Sequence, residues 1–195
     1  MISLGGWPAP TRIIGLFSYS LAAIACGIAW AINRKIPRAS RLAVLLAALE
    51  AALFLDMAFN TRWQLHDLLE GEAIRENLYS RRVGPQLVVL GLLVVSAAST
   101  MGLAYKRFRG RTGATLAACG VILSLSCWCS EVISLHATDT VFYLRIGEAK
   151  LVSLCWLTCS LMTVLGILWD AREARFHVKQ GAKPTGKALS PLTDS

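Results

Sequence analysis

Five apolar runs, each near the length needed to cross a bilayer, leave this chain few ways to fold. The first, Ile13 to Ile32, is 20 residues without a charge. At ~1.5 Å of rise per residue that is about 30 Å of helix, the thickness of the hydrocarbon core. The others run from Leu42 to Asn60, Gln86 to Tyr105, Thr112 to Leu135 and Leu151 to Trp169. In lipid, each backbone N–H and C=O needs a partner within its own segment, so runs of this length fold as helices. The expectation is an all-α integral membrane bundle of five transmembrane helices over residues 1–175. A basic tail at 176–195 follows, with Lys179, Lys183 and Lys187 among Gly and Pro and no apolar run able to fold, and is expected to be disordered in the cytoplasm.

Charge placement orients the bundle. The formal charge of +8 invites a nucleic-acid reading, but 55% of residues are apolar, only 16% are charged, and the cations fall in short clusters between apolar runs. That is the pattern of the positive-inside rule rather than of a basic face on a soluble domain, so nucleic acid is excluded as a partner. The connections Arg34 to Arg41 and Lys106 to Arg111 hold eight cations and no acid, whereas the two alternating with them are mixed. The N-terminus is therefore expected outside and the C-terminus in the cytoplasm of a cell inner membrane. A cleavable signal would carry its cations before a shorter apolar core; here they follow it, and the first span is expected to be retained.

Ionisable residues inside apolar spans cost several kcal/mol and need partners. The second span carries Glu50 near its middle and Asp56 six residues on, about 240° apart on a continuous helix, so the two acids serve different neighbours. Pro37 is expected to break the helix in the basic connection before this span. Beyond Asn60 an amphipathic stretch follows, in which Leu65, Leu68 and Leu69 recur at helical spacing while Arg62, His66 and Glu70 stand at i, i+4 and i+8, with Asp67 beside them and Trp63 and Tyr79 suited to the headgroup level. It is expected to form an interfacial helix between the second and third spans. In the fourth span Ala117, Gly120, Ser124, Cys127 and Glu131 form a smooth stripe that ends in an acid, followed by His136 and Asp139. Gly15, Ser18, Ala22, Ala25 and Ala29 form a similar stripe on the first span.

The six cysteines all fall within spans and include no C-x-x-C pair, so they read as small apolar fillers rather than redox groups. No phosphate-binding glycine loop, serine elbow, zinc-protease helix or c-type haem motif occurs.

Three functional readings fit these residues. The foremost is an accessory or ligand-binding subunit holding a transition metal or haem-like ligand on the outer side. His66 and His136 are then the nitrogen ligands, and Asp67, Glu131 or Asp139 bind the metal or orient the imidazoles. The second is a small proton- or cation-coupled transporter with Glu50 as carrier and Asp56 and Glu131 as relays, which, lacking an internal repeat, would need an oligomer. The third is an interfacial metal-dependent lipid-modifying enzyme, with Arg62, Arg81 or Arg82 holding a phosphate. The partners expected are the lipid bilayer, other membrane subunits and further copies of the chain. All three readings require the second and fourth spans to bring their polar groups together.

Overall fold

The computed structural model describes residues 9–75, 83–133 and 140–181. Helices α1 (Ala9–Ile32), α2 (Pro37–Phe59), α3 (Thr61–Arg75), α4 (Val83–Arg107), α5 (Thr112–Ile133) and α6 (Leu151–Gly181) follow one another, with a hairpin of β1 (Arg145–Ile146) and β2 (Ala149–Lys150) leading into α6. The fold is all-α, and the five helices α1, α2, α4, α5 and α6 are long and apolar enough to cross a membrane.

Local chemistry places the boundaries. The chain leaves the helical path between Ile32 and Pro37, and Pro37 opens α2, because a first-turn N–H would have no intrahelical acceptor, so proline's missing donor costs nothing there, and its fixed φ suits the start. At the other end α2 stops at Asn60, whose left-handed φ of 60° turns the chain while its N–H caps the Asp56 carbonyl. Helix α3 starts at the next residue and leaves in a new direction. The hairpin turns at Gly147, where a φ of 64° suits glycine. Helix α6 continues past Trp169 to Gly181, into the segment expected to be disordered, and residues 182–195 lie outside the described part.

Small residues let the helices approach closely. The expected stripe on α5, from Ala117 to Glu131, is buried along its length, as is the α1 stripe from Gly15 to Ala29. Helix α5 packs most extensively on α6, and α1 packs on both α2 and α6. A Cβ on Gly120 would come within 2.7 Å of the Cys159 carbonyl oxygen, and one on Gly166 would run into the backbone of Ala117. The apolar core has two parts. One is built from Cys26, Ala29, Leu46, Val121 and Ile167, and the other from Tyr19, Leu53, Met57, Val152 and Trp156. Between them in sequence along α2, α5 and α6 come four buried polar side chains, Glu50, Ser124, Ser160 and Thr163. Helix α4 stands apart: it lies against α5 and buries none of its residues.

Adding a methyl group where two backbones touch forces them apart, at roughly 1–3 kcal/mol. Gly166→Ala is therefore expected to lower the thermal midpoint in detergent by roughly 2–12 °C for a chain of this size. Gly91→Ala, whose new methyl group would meet nothing within 4 Å, should leave it in place. Equal midpoints for the two variants would show that the α5–α6 contact does not limit stability.

Candidate functional site

The polar groups expected at the Asn60 end of the bundle divide between two places. Asp56, Arg62 and Glu131 meet in the interior, and His66, Asp67 and Glu70 gather on the surface of α3. His136 and Asp139 lie outside the described residues.

The interior group begins with the break at Asn60. Because α3 starts just past the end of α2, the Asp56 carboxylate lies over the α3 N-terminus, where free N–H groups and the helix dipole favour an anion. Its Oδ1 accepts the Arg62 backbone N–H at 2.8 Å and the Thr61 hydroxyl. Its Oδ2 accepts Arg62 Nε at 2.7 Å, and Arg62 Nη2 stands 2.5 Å from the same oxygen as an ion pair without hydrogen-bond alignment. Arg62 Nη1 donates to Glu131 Oε2 on α5. On the far side of Glu131, the Trp156 indole N–H of α6 donates to Oε1 at 2.8 Å, and the Cys127 thiol lies 3.7 Å away. The Arg62 guanidinium also sits 5.2 Å from the centre of the Trp156 ring, within cation–π range.

Arg62 is 2% exposed and Glu131 4%. Burial alone would lower the pKa of Arg62, but Glu131 and then Asp56 raise it by more, so the guanidinium stays charged. Both Glu131 oxygens are occupied by protein donors, which leaves this acid unsuited to ligate a metal. Trp156 belongs to no polar pattern in the sequence. A tryptophan inside an apolar span is nonetheless a signal, because a buried indole N–H seeks an acceptor.

Glu50 is separate from this network. It is fully buried, and neither carboxylate oxygen has a hydrogen-bond partner of ordinary geometry. Thr163 of α6 is a polar neighbour, and the thiols of Cys26 and Cys159 lie in the same region. The Ser124 hydroxyl of α5, also buried, has no partner of ordinary geometry.

On α3, His66 is half-buried with its ring edge-on to Trp63. His66 Nδ1 lies 3.3 Å from the Val132 carbonyl oxygen of α5, and Nε2 lies 3.9 Å from Glu70 Oε2. One ligand atom from each of His66, Asp67 and Glu70 falls within 4.8 Å of the others. The carbonyl requires a proton on Nδ1, so a neutral imidazole turns its Nε2 lone pair toward the carboxylate. Two electron-pair donors facing each other in this way form an arrangement that a cation can bridge. One imidazole and two carboxylates suit a metal ion rather than the axial ligation of haem.

Comparison with protein-family models, curated proteins and solved structures finds no match.

Removing one member of a buried ion network strands the charges that remain, typically at 3–5 kcal/mol. Arg62→Ala is expected to destabilise the protein by roughly that amount in denaturant titrations in detergent. Arg62→Met combined with Asp56→Asn and Glu131→Gln should recover most of the loss, because no buried charge is left unpaired. A loss in the triple variant as large as in Arg62→Ala would mean that packing, not charge balance, is the role of Arg62.

Proposed function

We propose that the chain is a multi-pass protein of a cell inner membrane, with its N-terminus outside and its C-terminus in the cytoplasm. It serves as an accessory or ligand-binding subunit that holds a divalent transition metal on the outer side through His66, Asp67 and Glu70. Five apolar helices and the one-sided distribution of cations support insertion in that sense. Helix α3 then lies in the outer interface, which accounts for Leu68 and Ile74 being 62% and 56% exposed on it.

The observation that carries the metal reading is the imidazole of His66, held by a backbone carbonyl with its second nitrogen toward a carboxylate. Metal-bound histidines are commonly oriented by such a carbonyl. Two ligand atoms each ~2.0–2.2 Å from one ion stand at most about 4.4 Å apart, and Nε2 and Glu70 Oε2 are 3.9 Å apart. A small closure brings Asp67 in as well. His136, four residues beyond Val132 in the sequence, is the candidate for a further ligand.

Protein purified in detergent and passed through a desalting column with Zn²⁺ or Mn²⁺ is expected to retain close to one ion per chain. His66→Ala and Glu70→Gln should each weaken that affinity by roughly 10–100-fold. An impermeant chelator should strip the ion from right-side-out vesicles. Retention unchanged in both variants, or no retention by the unmodified chain, would leave His66 and Glu70 as an ordinary (i, i+4) ion pair.

A second reading, a proton- or cation-coupled transporter working as an oligomer, is favoured by Glu50. A fully buried carboxyl without an ordinary hydrogen bond, beside the Thr163 hydroxyl of another helix, is the kind of intramembrane group that binds and releases a cation. Glu50→Gln should then abolish ion-driven flux in proteoliposomes while leaving the folded bundle intact. Equal flux in both proteins would remove this reading.

A further inference from the structure

Helix α4 packs on α5 but hardly meets α2, and the space between α2 and α4 forms a groove floored by α5. Its volume of about 720 Å³ lies within the ~300–1,000 Å³ usual for ligand sites. The walls are apolar: Leu45 and Leu49 come from α2, Leu103 and Ala104 from α4, and Ile122 and Leu125 from α5. Lys106 and Arg107 line the same groove at the C-terminal end of α4. Among the described residues no carboxylate pairs with either cation, and the acid nearest in role, Asp170, is already held in a two-pronged bond by Arg111 at 3.0 and 2.7 Å.

We infer that this groove binds one anionic phospholipid from the cytoplasmic leaflet, with its acyl chains between α2 and α4 and its phosphate on Lys106 and Arg107. The charge pattern selects the headgroup, because two cations that line an apolar groove and have no carboxylate partner among the described residues complement a phosphate that brings hydrocarbon with it. Depth selects the leaflet. The lining of α4 runs from Thr100 to Arg107, about 10 Å of helix, and fits within the ~15 Å of hydrocarbon in one leaflet. In the proposed orientation the basic end faces the cytoplasm. The inference rests on that membrane orientation and is independent of the metal.

Native mass spectrometry of the full-length protein in mild detergent, titrated with phosphatidylglycerol or with phosphatidylcholine of the same acyl chains, tests this. The unmodified chain is expected to bind phosphatidylglycerol roughly ten- to thirtyfold more tightly, as two basic side chains at an anionic headgroup imply. Lys106→Gln with Arg107→Gln, both at exposed positions, should erase the preference while leaving phosphatidylcholine binding as it was. Ala104→Trp, which fills the groove, should weaken both lipids. Equal affinity of the unmodified chain for the two lipids, or a preference that survives the double substitution, overturns the proposal. A dimer that excludes lipid until Ala104→Trp disrupts it would also overturn it, by showing that a second copy covers the groove.

Discussion

One guanidinium, buried between two carboxylates, holds together the end of the bundle where α1 begins. Arg62 reaches Asp56 at the end of α2 and Glu131 at the end of α5, and Glu131 in turn accepts the indole N–H of Trp156 on α6. A buried charge is tolerated only when its partners are close and its hydrogen bonds are made, so these four helix ends must meet in one arrangement. Neighbouring contacts follow from it. Arg12 of α1 donates to the Ala58 carbonyl oxygen at 2.6 Å, and Thr11 accepts the Lys150 N–H at 3.0 Å, which brings the first helix and the hairpin to the same place. At the opposite end Arg111 and Asp170 form a smaller clamp between the α4–α5 connection and α6.

The middle of the bundle is held by different means. Glycine, alanine and serine bring α5 and α6 into backbone contact, the close approach that small side chains permit. Glu50 sits in this middle region without the donors that satisfy Asp56 and Glu131. The same chain therefore shows an acid whose partners explain its presence, and another whose partners do not. Helix α4 is held by neither device, and its separation from α2 is what opens the groove beside it.

Much of this could be read from the residues. Five helices long and apolar enough to span a membrane follow from the length of the apolar runs, and the need for partners at Asp56 and Glu131 follows from the cost of a lone acid among apolar neighbours. Pairing Asp56 with Arg62 was also within reach. Which faces the side chains occupy was not: on one unbroken helix Asp56 and Asp67, eleven residues apart, would share a side. Asn60 breaks it. Asparagine at the end of an apolar run, followed by threonine, is a recognisable stop and restart, and it carries Asp67 to the surface while Arg62 points inward. The link from Glu131 to Trp156 spans 25 residues and that from Arg62 to Glu131 spans 69. No local pattern encodes pairings at such separations. They emerge only when α5 and α6 are packed.

Those separations also impose an order in time. Asp56 and Arg62 lie six residues apart and can neutralise each other as soon as that turn leaves the ribosome. Glu131 is not synthesised until 69 residues later, some 3–14 s at ~5–20 residues per second. Over that interval the early pair is electrically balanced, so the hairpin of α1 and α2 can wait without an unmatched acid beside α3. Glu50 has no such companion nearby in the sequence: the cations on either side of it, Arg41 and Arg62, are nine and twelve residues away.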